Sequence, residues 1–401
     1  MEFMLSPDDL AFRDELRAFI AQHLPADVAA RNRRGYPFLK DDCLWWTKVL
    51  ATRGWSAPMW PIEYGGTGWS IVRQHLFEEE CWLAGAPQLS WQGLKLAGPV
   101  IYTFGTDAQK RRFLPAIVNG EYLWAQGFSE PNAGSDLASL RTAAVRDGDD
   151  YVVSGHKIWT SEAHMSDWLF CLVRTGSSDK PQQGISMLLI RLDSPGITIR
   201  PIVSIDECHT LNEVFLDNVR VPADQRVGEE GKGWTYAKFV LGLERTNSAE
   251  VPRLKRGLSR LKGIARRVPY RDRPLIEHPA FALRIAQAEI DLLALQMTVW
   301  RTIAAEGDDG APASPVAASI LKIRGGELLQ KIGELSAEAL GNSAVEFYPE
   351  PPTGATAPVP GSGEDLGAGV FADLAYRRAA TIYGGSNDIQ RNLIARSLLG
   401  S

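Results

Sequence analysis

The chain has 401 residues, 45% of them hydrophobic, and its 43 basic and 48 acidic side chains leave a formal charge of −5. That length suffices for two or three domains or one large multi-layer unit, and the mildly acidic balance, with no basic stripe, argues against nucleic acid as a main partner. No run of about 18 apolar residues that could span a membrane occurs, and the start, with Glu2, Asp8 and Asp9, does not read as a secretory signal. Cys43, Cys81, Cys171 and Cys208 are far apart with no C-x-x-C pair, which suits reduced thiols in a cytoplasmic protein and offers no zinc site.

Residues 1–120 read as helical. Ser6-Pro7-Asp8-Asp9 supplies a hydroxyl cap, a proline at the first helical position and two acids at the positive end of the helix dipole. Phe12, Leu16, Phe19 and Ile20 follow at helical spacing. Further helices are expected through Leu44–Leu50, near Ser70–Ala84, and at Gly98–Phe104 and Ala108–Val118. Residues 121–230 switch to a period of two. Strands are expected at Tyr122–Phe128, Thr142–Arg146, Tyr151–Trp159, Trp168–Val173, Ile185–Ile190, Ile197–Ile202 and Glu213–Val221, with turn residues between them as in an antiparallel barrel or sandwich. Residues 231–401 return to helix. One helix is expected from Gly231-Lys232-Gly233 past Glu244 towards Arg266. A second should run Phe281–Glu306 with Leu283, Ile290, Leu293, Met297 and Trp300 on its apolar face, a third about Val316–Leu340, and a last one from Ser386. Such long helices suit a four-helix bundle. The segment Pro351–Gly369, rich in Pro, Gly and Ala, reads as a long surface loop.

The stretch from Leu123 to Ser161 organises these pieces. Two alternating runs flank Asp147-Gly148-Asp149-Asp150, the pattern of a half-buried hairpin. Before it lies Ser129-Glu130-Pro131-Asn132-Ala133-Gly134-Ser135-Asp136, and after it Lys157-Ile158-Trp159-Thr160-Ser161. An aromatic with hydroxyls and amides around it can wall a flat polar heterocycle; the same residues also describe a glycine-rich surface hairpin with a buried Trp.

The S-E-P-x-A-G-S-D run followed by G-x-K-x-W-T-S resembles the flavin-binding β-domain of acyl-CoA dehydrogenases. The likeness covers nearly the whole chain, from Pro61-Ile62-Glu63-Tyr64-Gly65-Gly66 to Ile382-Tyr383-Gly384-Gly385-Ser386-Asn387-Asp388-Ile389-Gln390-Arg391. It implies an α+β fold in three parts: an N-terminal helical domain (1–120), a central antiparallel β-barrel domain for flavin and substrate (121–230) and a C-terminal four-helix bundle (231–401). It also implies FAD as cofactor, an acyl-CoA substrate, removal of an α-proton, hydride transfer to the flavin, and an electron-transfer flavoprotein as electron acceptor. The assembly would be a homodimer, a homotetramer, or a heterotetramer with a second dehydrogenase-like subunit.

The resemblance further assigns residues. Phe128, Ser129, Trp159, Ser161, Ser386 and Asp388 match flavin-binding positions, and Gly134 and Ser135 match positions on the substrate side. Many members carry the catalytic glutamate directly after the tyrosine of the C-terminal motif, where this sequence has Gly384. Its backbone N–H would still hold the thioester oxygen. Some members place the base on the first long helix after the β-domain, just before an arginine; here that position is Glu244, followed by Arg245, on the substrate side. Phe239, Val240, Leu241 and Leu243 precede it, an apolar setting that would raise its pKa. Glu244 could instead pair with Lys238 or Arg245 on a solvated face, and Glu250 is the weaker candidate base. The R-x-x-F-G motif that reaches a neighbouring subunit's flavin is absent at Arg267–Arg273, and the G-G-x-G motif is reduced to Leu340-Gly341-Asn342. Within the family the likeness is to bacterial enzymes resembling the large subunit of pimeloyl-CoA dehydrogenase and to those degrading steroid side chains. A bulky, steroid side-chain or dicarboxylic acyl-CoA is therefore the expected substrate. Two other readings use the same residues: a non-catalytic subunit of a heteromeric dehydrogenase, and a flavin monooxygenase or oxidase on the same fold.

Overall fold

Ser6 caps the first helix with its side chain, accepting from the Asp9 N–H at 3.1 Å, and the helix α1 (Pro7–His23) buries Phe12, Leu16, Phe19 and Ile20. The computed structural model describes residues 5–34, 39–247, 249–306, 315–345 and 364–400. Helices α2 (Ala26–Arg34), α3 (Lys40–Ala51), α4 (Ile71–Ala84), α5 (Gly98–Phe104) and α6 (Asp107–Val118) complete the N-terminal part. Two pieces were not legible in the sequence: the polar α2, and a π-helical stretch over Gln92–Ala97 that runs directly into α5. Thr106 and Gln109 close a reciprocal capping box at the start of α6. Among the described residues no helix is long and apolar enough to cross a membrane, and all four cysteines are free.

Eight strands follow: β1 (Trp124–Gly127), β2 (Ala143–Asp147), β3 (Asp150–Lys157), β4 (Trp168–Arg174), β5 (Ile185–Arg191), β6 (Ile197–Val203), β7 (His209–Pro222) and β8 (Arg226–Val227). The expected β2–β3 hairpin forms, with Asp147 opposite Asp150 and Gly148 at φ +60° in the two-residue turn. The sheet order is β6-β7-β3-β2-β4-β5-β8 with β1 beside β4. The expected barrel does not close. Strand β8 has only two residues, too few to carry a ladder round to β6, so the sheet stays open. Nor is it wholly antiparallel: β1 runs parallel to β4, and β2 meets β4 in parallel at Ala143 and Arg174. Strand β4 is apolar at consecutive positions because both its faces are covered. Trp168, Phe170 and Leu172 join a core with Phe113, Trp124 and Val240, while Leu169, Cys171 and Val173 join one with Tyr151, Val153 and Val214.

The C-terminal part begins with α7 (Gly233–Asn247) and α8 (Val251–Arg267), where one continuous helix was expected. Pro252 explains the break: it has no N–H for the ladder and fits only in a first turn. Glu250 just before it sits at φ +45°. A small hairpin (Pro269–Tyr270 with Arg273–Pro274) leads to α9 (Pro279–Glu306). Here the expected apolar face is the outer one. Leu283, Ile290 and Leu293 are 72%, 58% and 56% exposed, while Phe281, Ile285, Ala288, Leu292, Leu295 and Val299 fill the core. Then come α10 (Pro315–Leu340), α11 (Glu364–Gly367), α12 (Val370–Arg377) and α13 (Asn387–Leu399). Of the segment read as a loop over 351–369, residues 351–363 lie outside the described residues and 364–367 are helical.

The chain divides into two compact units, one of residues 1–37, 69–87 and 245–401, the other of 38–68 and 88–244. The second unit holds the sheet, and within it one ion pair fixes the loop before the hairpin to the strand after it. Lys157 is fully buried, its Nζ donating to Glu130 Oε1 at 2.8 Å and to the Phe128 carbonyl at 3.2 Å. The Glu130 carboxylate also accepts from the backbone N–H groups of Arg141 (2.6 Å) and Thr142 (2.8 Å). Burial alone would raise the Glu130 carboxyl; the charge and hydrogen bonds around it hold it below its ordinary value. Removing one partner strands the other charge, which costs about 3–5 kcal/mol. Lys157→Met should therefore destabilise by about that much in urea unfolding, and adding Glu130→Gln, which removes the stranded charge and keeps an acceptor for one of the two N–H groups, should recover at least about half of the loss. A cost for Lys157→Met below about 1 kcal/mol, the level of an exposed pair, would contradict this.

Candidate functional site

After Lys157 the chain leaves the β3 ladder but stays tethered on both sides. The Ile158 N–H donates to the Ser129 carbonyl at 3.0 Å, the Thr160 N–H to the Asn212 carbonyl at 3.0 Å, and the Glu162 N–H to the Thr210 carbonyl at 2.8 Å. Between these tethers Trp159 sits at φ +60° and is 57% exposed. A left-handed Trp costs about 1–2 kcal/mol, so the tethers hold its indole outward against a local preference. The buried Trp of the simple hairpin reading is therefore not what forms. Ser161 is half-buried beside it, and the buried Thr160 Oγ1 and Thr210 Oγ1 have no hydrogen-bond partner among the described residues.

Below this segment lies a polar cluster that sequence reasoning missed. Fully buried Asn212 donates from Nδ2 to the Thr160 carbonyl at 3.0 Å and towards His164 Nδ1 at 3.1 Å, and its Oδ1 lies 2.8 Å from His209 Nε2. The two imidazoles stack at 4.0 Å. Burial first, and then His209, hold His164 below its ordinary value, which fits an imidazole accepting at Nδ1. The available signal was an Asn in an inward register of β7, where a polar group needs partners.

The loop before the hairpin is shaped by a mutual backbone pair, Glu130 N–H to Ala133 O at 3.1 Å and Ala133 N–H to Glu130 O at 3.0 Å. Gly134 and Ser135 are exposed beyond it, and a side chain at Gly134 would meet nothing within 4 Å. Ser129 is half-buried, whereas Phe128 is a core residue, edge-to-face with Phe170 at 5.5 Å.

The other unit carries the C-terminal motif. Gly384 and Gly385 take φ +63° and +86° in succession, so the chain reverses into the cap of α13. A Cβ at Gly385 would lie 2.6 Å from Gln390 Nε2, whereas one at Gly384 would meet nothing within 4 Å. Buried Gln390 steadies this turn, donating to the Gly384 carbonyl at 3.3 Å and accepting from Ser319 at 2.8 Å. Ser386 Oγ accepts from the Ile389 N–H at 3.3 Å as the helix cap, and exposed Asp388 pairs with Arg391 at 3.6 Å. Tyr383 OH accepts from Arg377 at 3.3 Å. Glu244 and Arg245 fall within α7, with their side chains outside the described residues. Glu250 is paired with Arg253 at 3.0 Å.

Comparison with known proteins decides the family. The family descriptions for the N-terminal, middle and C-terminal domains of acyl-CoA dehydrogenases match residues 6–121, 125–219 and 231–399. The chain belongs to the acyl-CoA dehydrogenase family. Acyl-CoA dehydrogenase IpdE1 of Mycobacterium tuberculosis H37Rv is 38% identical over 396 residues, 97% of each chain. A subunit of the ChsE4-ChsE5 complex from Mycobacterium tuberculosis superposes with a TM-score of 0.82 at 31% identity, covering 100% of this chain and 99% of that one. The Tcur3481-Tcur3483 steroid ACAD gives a TM-score of 0.85 at 30% identity, again over 100% and 99% of the two chains. The protein is thus an oxidoreductase acting on acyl-CoA.

Within the tethered segment, burial pushes the Glu162 carboxyl up to about 7 from an ordinary 4.5. Between those values the folded chain keeps a proton that the unfolded chain has lost, so stability falls as pH rises through the window and stays reduced above it. Glu162→Gln should remove that slope and raise stability at pH 8 by about 1–3 kcal/mol, a tenfold change in proton affinity being about 1.4 kcal/mol. Urea titrations of both proteins from pH 5 to 8 measure this; an unchanged slope in the variant would contradict it.

Proposed function

We propose that this dehydrogenase converts an acyl-CoA thioester to the trans-2-enoyl-CoA with FAD as cofactor, and passes the electrons to an electron-transfer flavoprotein. The observation that carries the reading is the succession of three family domains along nearly the whole chain, joined to a Glu-Arg pair on the first helix after the sheet. Parts 1–120, 121–230 and 231–401 serve as the N-terminal, flavin and bundle domains.

The residues present fit FAD. Trp159 offers an exposed aromatic face, and Ser161 and the orphaned Thr160 hydroxyl lie beside it. Ser129 and the amides of its loop supply further polar edges. Phe128 contributes from the core side of the same wall, and Ser386 and Asp388 supply the C-terminal contacts. When bound, FAD supplies the acceptor for the β-hydrogen of the acyl chain.

The remaining chemistry falls to side chains and backbone. Glu244 takes the α-proton, because a proton next to a thioester is too weakly acidic for water and needs a positioned carboxylate. Glu250 is the poorer base, since Arg253 already engages it. The Gly384 N–H holds the thioester oxygen where charge develops, and Gly134, Ser135 and Arg245 are the residues assigned to the substrate. The space beside Gly384, empty of neighbours within 4 Å, favours bulky, ring-bearing or long dicarboxylic acyl groups, in keeping with the relative named as a steroid ACAD. The exposed apolar face of α9, with Leu283, Ile290 and Leu293, supports burial against a second dehydrogenase-like subunit.

Glu244→Gln keeps the shape and removes the basicity. It should retain FAD and acyl-CoA binding and lose at least about a hundredfold in the rate of flavin reduction. Reduction at the parent rate would overturn the assignment of the base.

A further inference from the structure

A cavity of about 60 Å³ lies in the helical unit, lined by Arg33, Arg253, Arg256, Arg260, Ser336 and Asp373 among others. Four arginines and one aspartate thus share the lining, and the Asp373 carboxylate is engaged by Arg377 at 3.1 Å. The other arginines are held in place without filling the space. Arg33 donates to the Ala84 carbonyl at 2.8 Å, Arg260 to the carbonyls of Leu366 and Ala368, and Arg253 pairs with Glu250 at 3.0 Å.

Arg256 is different. Its guanidinium lies over the Trp82 ring at 4.6 Å, and Arg253 lies over the same ring at 4.7 Å. Among the described residues it has no hydrogen bond and no carboxylate within ion-pair distance. Burial first, then Arg253, push it down to about 9, partly offset by Asp373. Stacking on an indole attracts the charge but offers no acceptor to its five N–H donors. A half-buried cation left without an acceptor has donors to spare, and the lining sets three further arginines against a single aspartate.

Size narrows the occupant. A water's share of liquid volume is about 30 Å³, so the cavity of about 60 Å³ has room for a group the size of a carboxylate or phosphate and not for a nucleotide or a flavin ring. Planar guanidinium forks match such oxyanions, often with two parallel bonds.

We propose that this cavity is a binding site for a single oxyanion, a carboxylate or phosphate group, with Arg256 as its principal ligand and Arg260 and Arg33 beside it. The site is wired to the C-terminal motif: Asp373 on its wall holds Arg377, which donates to Tyr383, the residue before Gly384. The oxyanion comes either from the acyl chain of the substrate or from solution. Only the first source rests on the dehydrogenase reading.

The test uses the full chain and two variants, Arg256→Met, which keeps an apolar stem against Trp82, and Arg256→Lys. Calorimetric titration with inorganic phosphate and with glutarate, at ionic strength matched with chloride, should show one site in the parent. Arg256→Met should weaken it about tenfold to a hundredfold, the range for losing a charged hydrogen-bond donor, with Arg256→Lys in between. Because a desolvated cation is removed, the melting temperature of Arg256→Met without added anion should not fall. No binding of either anion by the parent, together with a lower melting temperature for Arg256→Met, would overturn the proposal and make Arg256 a packing residue. The source is read from kcat/KM for acyl-CoAs of equal length with and without a distal carboxylate. A roughly tenfold loss of preference for the carboxylated chain in Arg256→Met assigns the acyl carboxylate; loss of phosphate binding with the preference kept assigns an anion from solution.

Discussion

The sheet unit depends on one buried charge pair. The segment leading into β2 turns two N–H groups, those of Arg141 and Thr142, towards the Glu130 side chain, and only an acceptor with several lone pairs can take both. A carboxylate does so, but a lone buried carboxylate is untenable. Lys157, arriving from the end of β3, neutralises it and spends a further donor on the Phe128 carbonyl. Two segments 27 residues apart in sequence are thereby locked together at 2.8 Å. An apolar pair could fill the volume but would leave the two N–H groups without partners.

Everything near Trp159 follows from that lock. With Lys157 anchored, the next five residues are strung between Ser129 on one side and Asn212 and Thr210 on the other. The indole is turned outward at a positive φ that the tethers, and the Asn212 cluster beneath them, hold in place. The C-terminal motif solves a similar problem differently. There two glycines take the left-handed turn freely, and buried Gln390 holds it from below. One position is a strained aromatic fixed by its neighbours, the other an unstrained glycine that leaves space.

Features governed by local chemistry were legible in the sequence. The Ser6 and Ser386 caps, the β2–β3 hairpin and the order of the three motifs needed only short-range information. Features set by partners were not. On α9, apolar residues occupy both faces, so helical period alone could not say that Phe281, Ile285 and Leu292 face the core while Leu283, Ile290 and Leu293 face out. Barrel closure depended on the length of β8, and a continuous helix was expected through residues where Pro252 starts a new one. Glu130 and Lys157 stood in view within the motifs, but their pairing joins segments 27 residues apart and is set by tertiary contact. The Arg256 cavity is assembled from α2, α8, α10 and α12, and no single stretch announces it.

The Glu130–Lys157 pair holds the wall on which FAD is proposed to bind. The most direct test is the affinity for FAD of the Glu130→Gln, Lys157→Met double variant, measured by quenching of flavin fluorescence in protein whose circular dichroism matches the parent. This folded variant should bind FAD at least about tenfold more weakly, the loss of roughly one well-placed charged hydrogen bond at the site. A folded double variant that binds FAD as tightly as the parent would contradict it.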